Sequence, residues 1–176
     1  HTQDRVIIVS NFTSTLNLLQ RYCVRQKFPF LRLDGRTKAD VRSKMVNEFN
    51  SDSGSDHLGK QPFVFLLSSK SGGVGLNLIG ANRLILFDSD WNPATDRQAM
   101  ARIHRDGQLK PCFIYRLLLV GSMDEKIYQR QITKIGLSDS LMSNEAAKDH
   151  DVASSSDTFS QEELRDVFGY HPNTTC

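Results

Sequence analysis

Residues Phe63–Asn77, FVFLLSSKSGGVGLN, carry the pattern that decides the fold. The stretch opens on five apolar residues in unbroken succession, Phe63–Leu67. A strand with one wet face alternates apolar and polar residues. An unbroken run marks a strand buried on both faces, as in a parallel sheet covered by helices. A polar, glycine-rich stretch follows, Ser68–Gly75. Its backbone N–H groups, the hydroxyls of Ser68 and Ser69 and the ammonium of Lys70 suit phosphate contact. They suit equally a tight turn from strand to helix. The stretch is not a P-loop, because GxxxxGK[ST] is absent. It is a poor dinucleotide fingerprint too, since Gly73-x-Gly75 is followed by Leu78 where a third glycine would stand.

The flanking sequence repeats the same logic. Upstream, Arg5–Ser10 (RVIIVS) reads as a β-branched strand, and Phe12, Leu16, Leu19 and Cys23 recur at helical spacing. Phe30–Leu33 reads as a second strand closed by the turn signal Asp34-Gly35. Thr37 and Asp40 resemble a capping box, ahead of Val41, Met45 and Phe49 on one helix face. Residues Asn50–Gln61 form a polar loop. Downstream, Arg83–Phe87 (RLILF) reads as another buried strand. Asn92-Pro93 opens a helix expected to run to about Arg105, where Asp106-Gly107 stops it. Cys112–Leu119 reads as a strand, and Ser122 with Glu125 as a capping box for a helix to about Ile135. Residues 142–158 read as an acidic, Ser-rich linker, and 159–176 as a short helical tail. Strands alternating with helices mean βαβ units, an α/β fold with a mostly parallel sheet flanked by helices. Ligands of such sheets lie beyond the carboxyl ends of the strands. The loops at Asp34–Arg36, Ser68–Gly75 and Asp88–Asn92 are expected to share that edge.

Composition narrows the class. The 176 residues are 39% hydrophobic and 24% charged, enough for a packed core. No stretch approaches the roughly 18 apolar residues of a membrane span. Three scattered cysteines, Cys23, Cys112 and Cys176, do not make a disulfide framework. The net charge of +2 is unevenly spread: residues 1–50 carry +5, 51–96 carry −2, 97–138 carry +5 and 139–176 carry −6. Two basic blocks suit a nucleic-acid face, although charge alone more often marks solvated helix surfaces.

Within the second basic block, Gln98, Arg102 and Arg105 are spaced to fall on one helix face. Two arginines one turn apart can grip a triphosphate, although in an arbitrary chain such a pair is more often a surface pair held by acids. Asp96 stands near the helix N-terminus, where a carboxylate is favoured.

These stretches together resemble a known family. Ser68–Pro93 (SSKSGGVGLNLIGANRLILFDSDWNP) and Gln98–Gln108 (QAMARIHRDGQ) are similar to motifs five and six of Swi/Snf-type, DNA-dependent ATPases. Val6–Phe12 resembles motif four, and Leu33–Phe49 the segment after it. The resemblance covers about residues 5–141. Arg105–Gln131 looks most like the Rad-type recombination translocases, with fungal meiotic-type members nearest on Arg102–Gln108 (RIHRDGQ).

The resemblance implies that residues 1–141 are the second RecA-like lobe (the helicase C-terminal lobe) of a double-stranded DNA translocase in homologous recombination and repair, with a C-terminal helical extension. It implies that ATP and Mg²⁺ are bound mainly by a first lobe, and that this lobe alone is inactive. Arg102 and Arg105 are then arginine fingers, Gln98 orders that edge, and Gly73, Gly75 and Asp96 lie by the nucleotide. Gly35, Arg36, Ser68, Ser69, Lys70 and Asn77 face DNA, while Asp88 and Trp91 couple DNA contact to the ATP cleft. The implied partners are double-stranded DNA, the first lobe and a RecA-like recombinase filament. The implied location is the nucleus, with no membrane. Zinc is not expected, because His171 and Cys176 cannot complete four ligands. The competing readings are a non-enzymatic DNA- or recombinase-binding module, a chromatin remodeller and an RNA helicase lobe.

Overall fold

The computed structural model describes residues 4–51, 61–71 and 75–143, with side chains as far as Lys134. Residues 1–90 and 94–117 form one compact unit, and residues 91–93 and 118–176 a second. The expected tail helix, with His171 and Cys176, lies outside the described residues, as does all but the start of the expected linker.

The first unit is built on five parallel strands: β1 (Val6–Ser10), β2 (Phe30–Leu33), β3 (Val64–Ser68), β4 (Arg83–Leu86) and β5 (Phe113–Arg116). Their order is β2-β3-β1-β4-β5. The register aligns Val6 with Val64 and with Arg83, so the strands begin and end together. Helices α1 (Thr13–Gln26), α2 (Ala39–Asn50) and α3 (Pro93–Met100) lie between strands in sequence. Each of β1, β3 and β4 sends alternate side chains to the two faces. Ile7, Val9, Phe65, Leu67, Leu84 and Leu86 join Phe49 of α2 and Ala99 of α3 in the larger core. Val64 and Leu66 point the other way, onto Leu16 and Cys23 of α1. All five residues of β3 are buried, as its unbroken apolar run predicts.

Glycine is demanded at particular points. Gly80 passes so close to the end of α2 that an added Cβ would strike the Phe49 carbonyl and lie 2.9 Å from Asn50 Cα. Gly107 has φ +95°, a left-handed conformation that ends the segment after α3.

Several boundaries differ from the sequence reading. The Thr37–Asp40 capping box does not form. Helix α2 is entered from Lys38, and the Thr37 hydroxyl instead accepts the Asp34 N–H at 3.1 Å, closing the turn after β2. Phe12 precedes α1 as its N-cap residue and stays exposed. Strand β5 is four residues, shorter than Cys112–Leu119. Helix α3 stops at Met100, not near Arg105. There the Arg102 N–H bonds the Ala99 carbonyl three residues back, and the Arg102 carbonyl accepts the Leu78 N–H. A tightened last turn and a partner from another segment end the helix.

The second unit contains α4 (Met123–Ser143), longer than the expected end at Ile135. Once a helix is nucleated, adding residues costs little, so Ser and Asp near its end do not stop it. Its start is a variant of the expected box. Ser122 Oγ accepts the Asp124 N–H at 3.2 Å, while Glu125 takes the Gly121 N–H at 2.8 Å rather than that of Ser122.

Candidate functional site

Strands of equal register put four exits side by side: Leu33, Ser68, Ser10 and Leu86. The loops leaving them are tied together by side chains. Ser69 Oγ donates to Asn11 Oδ1. The Asn11 backbone N–H donates to Asp88 Oδ1 at 2.7 Å, and Ser10 Oγ donates to Asp88 Oδ2. Asn11 therefore joins the glycine-rich loop after β3 to the acidic loop after β4. On the other side, Ser71 Oγ reaches the Leu33 carbonyl at 3.3 Å. Arg42 spans from the Thr37 carbonyl (2.8 Å) to the Ser71 carbonyl (3.1 Å). Asp34 is held by Arg32 at 3.0 Å and in turn accepts the Arg36 N–H at 3.0 Å. Arg32 is itself braced by Asn17 and Gln20 of α1. The Gly35-Arg36 turn is thus positioned through three elements, and Arg36 and Lys70 are left exposed.

A second cluster forms where the chain returns from β3. Gly75 adopts φ +111°, a backbone shape that needs glycine. Arg105 Nη1 donates to the Gly75 carbonyl at 3.3 Å. Asn77, Arg105 and Asp106 line an open cleft of about 430 Å³. Asn77 Oδ1 is buried there with no hydrogen-bond partner among the described residues. Asn50 holds this segment in place: its amide donates to the Asn77 carbonyl (2.8 Å) and accepts the Gly80 N–H (2.9 Å). The Gln108 amide donates to the Ile79, Ala81 and Ile103 carbonyls, locking the segment after α3 against the same strip.

Arg102 is the unusual group. It is only 6% exposed, and among the described residues no carboxylate lies in ion-pair range of it. Burial, and then the like charge of Arg105, lower its pKa from the ordinary guanidinium value. A guanidinium is still charged at neutral pH. The chain therefore keeps a desolvated cation beside a second cation, an arrangement an incoming anion relieves.

The structure redistributes the other expected residues. Because α3 ends at Met100, Gln98, Arg102 and Arg105 do not form one helical stripe. Gln98 is exposed on α3, Arg102 is buried and Arg105 is exposed. Asp96 is 2% exposed, accepts the Asp90 N–H at 3.2 Å and lies 3.6 Å from Arg116. These contacts hold the buried Asp96 carboxylate within the first unit. Ser68 is buried as the last residue of β3, leaving Ser69 and Lys70 as the outward groups of that loop. An added Cβ at Gly35 meets nothing within 4 Å, so packing does not demand glycine there. Trp91 is 46% exposed and belongs to the second unit. Gly73 lies outside the described residues. Cys23 is buried and Cys112 partly so, and burial raises the pKa of both thiols. Among the described residues no three His, Cys, Asp or Glu side chains gather as a metal site.

Asn11, Arg42 and Asn50 are the residues that sequence reasoning missed. Each is a polar residue whose importance lies in distant partners, 27 to 77 positions away. The only signal for Asn11 was its place at the end of a strand whose exit faces the site.

Comparison with known proteins agrees with this geometry. The model of the helicase conserved C-terminal domain matches residues 1–107. The chain belongs to that family, as a RecA-like lobe of its Swi/Snf branch. It is 49% identical over 170 residues to the rice "DNA repair and recombination protein RAD54", covering 97% of this chain and 16% of that protein. It is 49% identical over 173 residues to human "DNA repair and recombination protein RAD54B", covering 98% and 18%. Among solved structures, the C-terminal part of the Fun30 ATPase domain superposes with a TM-score of 0.66 at 40% identity, covering 73% of this chain and 40% of that one. The chain thus spans less than a fifth of the length of these two relatives.

Proposed function

We propose that this chain is the second motor lobe of an ATP-driven translocase on double-stranded DNA, acting in homologous recombination and repair. The observation that carries the reading is Arg102, a buried cation with no acidic partner among the described residues, beside Arg105 at the cleft. Relatives named for DNA repair and recombination support it.

Arg102 and Arg105 are the anion-seeking groups, suited to the phosphates of ATP. In this reading a first lobe binds most of the ATP and its Mg²⁺. ATP supplies phosphoryl transfer, whose transition state gathers negative charge that fixed guanidinium groups stabilise. The Arg105 guanidinium is held by the Ala101 and Gly75 carbonyls before any ligand arrives, and the Arg102 backbone is anchored by Leu78. Lys70, Arg36 and Ser69, on the tied loops, are the groups for DNA phosphates. Such contacts give affinity without reading sequence, as a translocase requires. Asp88 and Asn11 connect those loops. In this reading the lobe works with a first RecA-like lobe and beside a recombinase filament in the nucleus. The fungal meiotic assignment rests on Arg102–Gln108 alone.

The test is ATP turnover by the complete motor, with duplex DNA, with RNA and without nucleic acid. Arg102→Ala and Arg105→Ala are each expected to lower duplex-stimulated turnover by roughly 10³-fold or more, with DNA binding retained. Turnover equal to the unaltered protein would remove the finger assignment. Stimulation by RNA in place of duplex DNA would turn the reading to an RNA helicase.

A further inference from the structure

Helix α1 carries a surface that the motor reading leaves unused. Its inner side, through Leu16 and Cys23, packs on the sheet. Leu18, Arg21, Tyr22 and Arg25 stand at i, i+3, i+4 and i+7, one stripe of the helix, and all four are exposed. The stripe continues beyond the helix end. The Tyr22 ring meets Phe28 edge-on with centroids 6.4 Å apart, and Phe28 meets Phe63 at 5.7 Å. The three rings are 54, 39 and 40% exposed. A contiguous set of large apolar side chains left in water marks a docking surface, whereas scattered ones do not.

The charge around these rings is one-sided. Residues 5–33 hold Arg5, Arg21, Arg25, Lys27 and Arg32, and no Asp or Glu. Arg5 is buried against the Phe49 carbonyl, and Arg32 is bound to Asp34. Arg21, Arg25 and Lys27 remain exposed, with no ion-pair partner among the described residues. Lys27 caps the helix at φ +57°, and its backbone N–H is tied to the Val24 carbonyl at 3.1 Å, next in the chain to Phe28.

Position and chemistry select the kind of partner. Phe28 and Phe63 precede β2 and β3, at the entry ends of the strands, while the loops proposed for DNA leave from the exit ends. Leu18 offers no ring for a base to stack on, and the three aromatic rings engage one another edge-on. We propose that this face docks an acidic segment of a partner protein. Large apolar side chains at helical spacing would seat on Leu18, Tyr22, Phe28 and Phe63, and carboxylates would meet Arg21, Arg25 and Lys27. Apolar anchors supply the affinity of such grooves, and complementary charge sets the register and the rate of encounter.

The probe is a fluorescein-labelled helical peptide with Leu and Phe at i, i+4 and i+7 and Glu elsewhere. Binding to the intact chain is read by anisotropy. Tyr22→Ser and the double variant Arg21→Glu/Arg25→Glu, checked for an unchanged melting temperature, are each expected to weaken binding by at least about tenfold. A benzophenone at the peptide's Phe position is expected to cross-link the unaltered chain within residues 18–28 or at Phe63. No binding, binding indifferent to both variants, or cross-links elsewhere overturns the proposal. Equal binding of a peptide with Ala in place of Leu and Phe leaves a merely electrostatic surface and overturns it too. Tighter binding of a labelled DNA duplex, lost in the same two variants, makes the face a nucleic-acid surface instead.

Discussion

Two pairs of arginines in one unit are treated in opposite ways. Arg5 and Arg83 stand where β1 and β4 begin. Arg5 donates to the Phe49 and Ser51 carbonyls and to Gln61, and lies over the Phe49 ring at 5.9 Å. Arg83 grips Asp4 at 2.8 Å, meets the Tyr115 hydroxyl at 2.7 Å and covers the Phe113 ring at 4.8 Å. Arg102 and Arg105, between α3 and β5, have no acid among the described residues, and each adds to the other's charge. The first pair completes the fold. The second leaves its charge open, a cost that the proposed binding of an anion would offset.

That contrast can be broken by stability measurements. The largest effect is expected at Arg5→Ala, which strands two backbone carbonyls at the end of α2 and lowers unfolding free energy by about 3 kcal/mol in urea. Asn11→Ala, which unties the β3 and β4 loops, is expected to cost about 1–2 kcal/mol. Its effect on DNA-stimulated turnover should exceed that of Ser69→Ala, because Asn11 contacts both loops. Arg102→Met is expected to leave stability unchanged or raise it by up to about 1 kcal/mol, since an uncompensated buried charge is removed. A clear loss of stability there would make Arg102 a structural residue like Arg5 and erase the contrast.

The smallest effect concerns acid. The hydrogen bond from Arg83, and then that from Asn82, hold the Asp4 carboxyl below its ordinary value of 3.8. A lowered pKa in the folded state means the contribution is present above that ordinary value and lost as pH falls through the lowered one. Melting temperature followed from neutral pH into acid should therefore fall less steeply in Asp4→Asn than in the unaltered chain. Parallel curves would show that the Asp4–Arg83 pair adds nothing to acid stability.

Local pattern made part of this molecule legible in its sequence. The unbroken apolar run placed β3 within a residue, and the turn signal after Leu33 closed β2 where the structure closes it. What remained hidden was decided by distant partners. Nothing in QAMARIHRDGQ announces that Leu78 will bond the Arg102 carbonyl and stop α3 at Met100. The stripe through Gln98 was a helix argument and ended with the helix. Gly75 was legible only as part of a glycine-rich stretch that left a tight turn and phosphate contact open; its positive φ came from the structure. Asn11, Arg42 and Asn50 were not, because a single polar residue reveals its role only when its partners are brought to it.

The strand order also governs how the molecule assembles itself. β1, made first, is the central strand, and both its neighbours come much later: β3 begins at Val64 and β4 at Arg83. Parallel pairing across such separations requires long loops to close before any ladder forms, which slows folding. During synthesis, the apolar residues Val6–Val9 have no strand to pair with in the sheet until at least Val64 has emerged. The chain passes through an interval in which an apolar, unpaired strand segment is exposed to aggregation.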